Sequence, residues 1–78
     1  MFDIVRECLA MALHLDPLEV EHITTATTAR DIDKWDSLNH LKLIMELERR
    51  LHLEFDDNEI VELGSVDAIM QSIQRKRL

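Results

Sequence analysis

A chain of 78 residues can build one domain around one modest core, which excludes a substrate cleft walled by two subdomains. Hydrophobic residues at 46% and charged residues at 32% describe a globular chain. One Gly, one Pro and 4% aromatics, against many Leu, Met, Glu and Arg, favour helices over a β-rich or turn-rich fold. Asp plus Glu outnumber Lys plus Arg by 16 to 9, a formal net charge of -7, so nucleic acid and anionic membrane are disfavoured as partners by repulsion.

Residues 2 to 14 repeat apolar side chains at Phe2, Val5, Leu9, Ala12 and Leu13, the spacing of an amphipathic helix. Cys8, the one cysteine, lies on the apolar side of that pattern. It can form no internal disulfide and reads as core filler rather than a reactive thiol. The stretch "MFDIVRECLAMALHL" carries Asp3 and Glu7 inside its apolar pattern and has no small-residue cleavage site. It reads as neither a signal peptide nor a membrane span, so the expected location is the cytoplasm.

Asp16 and Pro17 stop the first helix or restart the chain. Residues 18 to 35, which include the threonine-rich "ITTATTARDIDKW", sustain a period of neither 3.6 nor two and read as a long connection. Ile23, Ile32 and Trp35 are its expected anchors to the core. A second helix is predicted over 37 to 51 with Asp36 as N-cap, its carboxylate accepting from an orphan backbone N–H. A short helical turn follows around Asp57 to Leu63. A last helix runs from Ser65, its cap, to Arg77, with Val66, Ile69, Met70 and Ile73 as its buried side and the basic Arg75, Lys76 and Arg77 suiting the helix C-terminus. The expected fold is a single all-α domain over residues 1 to 78. It is a small four-helix bundle of three main helices and a short one, with a long loop between the first and second.

Arrangements for catalysis find little support. His14, His22, His40 and His52 are spread out, no two at the i to i+4 spacing of a helical metal pair, and read as surface or half-buried side chains. A Gly-rich nucleotide cradle is missing. Asp56, Asp57, Glu59 and Glu62 read as a solvated face and helix start rather than an acid–base pair in an enclosed site. The second helix is more informative. Leu43, Ile44, Leu47 and Leu51 cluster on one side as a core stripe. Leu38, Leu41 and Met45 form a second apolar patch toward the side of Ser37, Lys42, Glu48 and Arg49. Either the long loop covers this patch or part of it stays open for a partner. Ser37 has no histidine base within its motif, so its hydroxyl is better suited to being modified than to attacking.

"WDSLNHLKLIMELERRLHLEF" resembles the centre of acyl carrier proteins and the related phosphopantetheine-binding carrier domains of polyketide and nonribosomal peptide synthesis, whose hallmark is Asp-Ser-Leu at the start of the second helix. The resemblance extends over nearly the whole chain. It implies an acyl-carrier-like bundle and a free-standing, monomeric carrier that performs no chemistry of its own. It also implies that Ser37 carries a 4′-phosphopantetheine arm from coenzyme A, on which acyl or aminoacyl intermediates ride as thioesters. An arm of that kind raises the effective concentration of a tethered intermediate at successive enzymes. Asp36 matches the acidic residue that assists the phosphopantetheinyl transferase. Leu38 and Met45 match partner-contacting residues, and Glu48 matches an acidic residue of the same face, beside Leu41, Lys42 and Arg49. The implied partners are that transferase, a ligase that loads the acyl or aminoacyl group, and a downstream synthase or transferase.

The chain departs from the fatty-acid type at several places. Lys42 stands where an acidic residue is usual, and "ERR" at 48 to 50 replaces a run of glutamates. Over residues 36 to 53, Asp36, Glu46 and Glu48 are balanced by Lys42, Arg49 and Arg50. Such a face suits a specialised partner better than a basic patch built for carboxylates. Trp35 before Asp-Ser-Leu points the same way, toward carriers of specialised biosynthesis. His52 sits where the family often has a C-capping glycine, which implies a different turn after the second helix. Fatty-acyl, polyketide, aminoacyl and D-alanyl cargo all remain open, as does an arm-less acidic adaptor of the same fold.

Overall fold

The 3.6-residue periodicities at the two ends and the centre of the chain become its three long helices. The computed structural model describes residues 1–77. Among them, α1 spans Phe2–Leu13, α2 Pro17–Glu21, α3 Ser37–Leu51, α4 Asp57–Ile60 and α5 Val66–Arg77, with a 3-10 turn at Ala29–Asp31. The described residues form a small all-α bundle, in which α1 packs against both α3 and α5. The core joins Val5, Cys8, Leu9 and Leu13 of α1, Leu43, Ile44, Leu47 and Leu51 of α3, and Val66, Ile69 and Ile73 of α5. Each such leucine or isoleucine taken fully out of water contributes about 1.5–3 kcal/mol before the entropy of ordering it is subtracted.

The helix count exceeds the four expected from periodicity. Residues 18 to 35 are not one irregular connection, because most of α2 and the 3-10 turn lie within them. Both are too short to show a period, and their signal is chemical instead. Asp16 Oδ1 accepts from Glu19 N (2.8 Å) while Asp16 N donates to Glu19 Oε1 (3.0 Å), a reciprocal capping box with Pro17 in the first helical position. Asp16 and Pro17 therefore end α1 and begin α2 at once. Asp56 and Glu59 make the same box at α4, with Asp56 N–Glu59 Oε1 at 3.0 Å and Glu59 N–Asp56 Oδ1 at 2.8 Å. Thr28 N donates to Asp31 Oδ2 at the 3-10 turn (2.9 Å). α4 ends at Ile60, short of the expected Leu63.

The connection between α2 and α3 is tied down along its length. Thr27 and Thr28 run antiparallel to Gly64–Val66, with Ala29 N donating to Gly64 O (2.8 Å) and Val66 N to Thr27 O (2.9 Å). Thr27, itself buried, accepts from Thr24 N through its hydroxyl (2.8 Å). Ile23 and Trp35 are buried as expected, whereas Ile32 is half-buried against the core. In α5 Met70 is likewise half-buried, and Ser72 takes a fully buried place beside Ile69 and Ile73. Ser65 caps α5 through Ala68 N (3.0 Å).

The turn after α3 keeps left-handed geometry without a glycine, contrary to the expectation of a different turn. His52 has φ 54° and ψ 47°, and its N–H donates to Glu48 O, as does Leu53 N (3.3 Å). His14 closes α1 in the same way, with φ 54° and its N–H on Ala10 O. The hydrogen bonds that close these helix ends require the αL conformation whatever residue occupies it, so the histidines are held there against a Cβ clash. His52→Gly should therefore stabilise the fold by about 0.5–1 kcal/mol, the steric relief less the extra chain entropy of glycine. A rise in the urea midpoint at unchanged m-value is the expected readout.

Candidate functional site

Trp35, Asp36 and Ser37 stand where the tied-down connection meets α3. Asp36, extended at φ -97° and ψ -177°, accepts from Asn39 N through Oδ1 (2.8 Å), and Asn39 Nδ2 reaches back to Lys34 O (2.8 Å). These two bonds from Asn39 fix the angle at which the chain enters α3. Ser37 is the first residue of the helix and is exposed. The 15-residue helix behind it presents the positive end of its dipole, and its unused first-turn N–H groups favour a phosphate bonded at that hydroxyl.

Ser37 borders an open groove of about 480 Å³, whose walls are mainly apolar: Trp35, His40 and Leu41 on one side and Ile60, Val61 and Gly64 on the other. Spacing along the chain does not reveal this feature, because one of its walls comes from the end of α4 and the turn that follows it. His40 is its least expected member. Trp35 Nε1 donates to His40 Nδ1 (2.8 Å), and His40 Nε2 lies 2.9 Å from Ile60 O. The indole can only donate and the carbonyl can only accept, so the network assigns the neutral Nε2–H tautomer. With both nitrogens engaged, His40 is not free to act as a base for Ser37.

Cys8, the chain's one thiol, is fully buried, and burial pushes its pKa up. It is poorly suited to thiolate chemistry. Among the described residues, no group of three or more His, Cys, Asp or Glu could hold a metal ion. No described helix is long and apolar enough to cross a membrane. A second hollow, among Glu19, His22, Asp31 and Lys34, does not include Ser37. There Lys34 Nζ donates to Glu19 Oε1 (2.8 Å) and to His14 O (3.3 Å), bracing the loop against the end of α1.

The second apolar patch of α3 is open. Leu38 is 65% exposed, Leu41 52% and Met45 68%, so the connecting loop does not cover it. Leu38, Lys42, Met45 and Arg49 follow one another at i, i+4, i+7 and i+11 as an outward stripe, and all four are exposed. Arg49 is paired with Glu46. Leu41 borders the groove instead. Glu48 is half-buried and accepts from Phe55 N through Oε2 (2.9 Å), which ties α3 to the segment leading into α4.

The model of the phosphopantetheine attachment site family matches residues 3–73, and the chain belongs to that family. The solution NMR structure of holo acyl carrier protein from Geobacter metallireducens is similar to it at 29% identity and a TM-score of 0.80, covering 96% of this chain and 83% of that one. No curated protein sequence matches the chain. The chain is thus a small carrier domain of the acyl carrier type, a class that is non-catalytic and consistent with tethering thioesters on a phosphopantetheine arm.

Two outcomes follow from the site's local chemistry. Asp36→Ala should cost about 1 kcal/mol through the lost cap, seen as a lower denaturant midpoint. Glu59, which supports the α4 wall, has its pKa held below the ordinary carboxylate range chiefly by the hydrogen bond from Lys76, with help from Asp56 N–H. Its stabilisation should be fully present above that range and lost as the pH falls through the depressed value. The Tm difference between wild type and Glu59→Gln should accordingly be largest near neutrality and shrink in acid.

Proposed function

We propose that Ser37 carries a 4′-phosphopantetheine arm and that the chain holds acyl or aminoacyl intermediates on it for a sequence of partner enzymes. The observation that carries this reading is an exposed hydroxyl at the N-terminus of α3, beside an apolar groove, in a chain of the phosphopantetheine attachment family. Ser37 Oγ would form the new phosphodiester bond, giving up its proton as the pyrophosphate of coenzyme A is broken and its nucleotide half leaves. When attached, the arm supplies the thiol that the protein itself keeps buried at Cys8. Asp36 lies one residue away, where its carboxylate can assist a transferase and its metal while still capping α3.

Docking is assigned to the exposed stripe of Leu38, Lys42, Met45 and Arg49, with Leu41 at its groove edge and Glu48 at its lower flank. Residues 36 to 53 are electrically balanced, which supports a partner chosen by apolar contact more than by steering. It also supports a specialised pathway, polyketide or peptide in kind, over housekeeping fatty-acid synthesis.

Incubation with coenzyme A and a broad-specificity phosphopantetheinyl transferase should add one phosphopantetheine to the intact mass, and Ser37→Ala should abolish the gain. No gain, either there or with the host's own transferase, would turn the reading toward an arm-less adaptor. Leu38→Ala or Met45→Ala should weaken binding of the cognate partner about tenfold or more, with little dependence on salt. Binding that collapses at moderate salt but is indifferent to Leu38→Ala would overturn the assignment of the docking face.

A further inference from the structure

The groove beside Ser37 could in principle lead inward, because Trp35 lines it and also belongs to the hydrophobic core, with Ile60 packed against that core. An acyl group tethered at Ser37 would have to pass this junction to lie among the core side chains. The junction is closed by polar contacts. The Trp35 and His40 rings stack at 25° with centroids 6.1 Å apart, Trp35 Nε1 donates to His40 Nδ1 (2.8 Å), and His40 Nε2 bonds to the backbone of α4 at Ile60 O (2.9 Å).

Helix α4 is a single turn and has little rigidity of its own, yet it is also held from the far side. Glu59 Oε1 accepts from Lys76 Nζ (2.8 Å) and Glu59 Oε2 from the buried Ser72 Oγ (3.3 Å), both on α5. Parting α3 from α4 would break the His40 Nε2–Ile60 O bond and strand a half-buried imidazole N–H and a backbone carbonyl, groups that are costly to leave unpaired, while the Trp35 indole holds the imidazole in the orientation that makes this bond. The core beyond is filled by Leu43, Leu47, Val66 and Ile69, all at 0% exposure.

We propose that Trp35, His40 and the Ile60 carbonyl form a latch that shuts the Ser37 groove off from the core. The inference rests on Ser37 carrying the arm. The latch makes Trp35 and His40 specificity-determining residues: cargo stays in the groove or in solvent, which favours short or polar acyl and aminoacyl groups over long alkyl chains. Outside the core the open groove covers only part of a long chain, and the remainder keeps its apolar surface in water.

The test loads Ser37 from acetyl-coenzyme A and from octanoyl-coenzyme A with a broad-specificity transferase. It compares Tm and the rate of thioester hydrolysis in wild type, Trp35→Phe and His40→Leu. Wild type should show nearly the same Tm and hydrolysis rate with either group, since the open groove shields only the first carbons of a chain. Both variants, whatever their own stability, should gain Tm and thioester protection with octanoyl relative to acetyl. Octanoyl protection in wild type would overturn the latch, and so would variants blind to chain length.

Failure of loading, seen as an unchanged mass, would count against the carrier reading alone, because the latch has its own readout in the unmodified protein. The chain has one tryptophan, so its single indole N–H signal is unambiguous. That proton should exchange with solvent at least about a hundredfold slower than a solvated indole, and faster in His40→Leu. Rapid exchange in wild type would overturn the latch without reference to the arm.

Discussion

Helix α3 carries two apolar stripes, and a domain of this size has surface enough to cover one of them. α1 and α5 close over Leu43, Ile44, Leu47 and Leu51, which leaves Leu38 and Met45 facing outward and Leu41 at the edge of the groove. That division governs much of the rest. It turns the start of α3 to the surface with Ser37 exposed, and it sets an apolar strip next to the residue that would be modified. The strip would be a liability on an isolated monomer. On a carrier it is the surface proposed here for partner docking.

The short elements place the site rather than build the core. Each of α2, the 3-10 turn and α4 starts with an oxygen-bearing side chain paired to an acid three residues on: Asp16 with Glu19, Thr28 with Asp31, Asp56 with Glu59. Such pairs satisfy the orphan donors of a helix start locally, so a single turn can exist without burying a face of its own. Glu19 and Glu59 are then used twice. Glu19 also accepts from Lys34 beside the Asp-Ser-Leu turn, and Glu59 from Lys76 of α5. A capping acid that also receives a distant lysine converts a local turn into a fixed wall, and the α4 wall is the far side of the Ser37 groove.

The chemistry of the chain is subdued in a way that suits tethering. Its thiol is buried at Cys8, and the histidine nearest Ser37 has both nitrogens bound within the protein. A protein that holds reactive thioesters is served by having no base or nucleophile of its own beside them. Its contribution is the effective concentration that a tether creates at each partner. Residues 36 to 53 are balanced in charge, so the net charge of -7 lies elsewhere in the chain, and the proposed docking face would be discriminated by shape and apolar contact within an acidic molecule.

The amino-acid sequence by itself determined the three long helices, the Asp36 cap, the core stripe of α3, the burial of Cys8 and Trp35, and the Asp-Ser-Leu motif. All of these are written in spacings of a few residues, where helix geometry alone relates one side chain to the next. α2 fell within the expected connection, since five residues make no repeat, and its signal is the Asp16–Glu19 capping pair instead. Whether the second stripe of α3 lay open, which left-handed turn His52 would adopt, and where Glu48 would point depended on neighbours that the local pattern does not name. The Ser37 groove and the Trp35–His40–Ile60 bridge were decided by the tertiary structure alone. They join residues 35 and 40 to residue 60 and need α4 to be folded back against α3, a placement set by core packing and by Lys76 and Ser72 on α5.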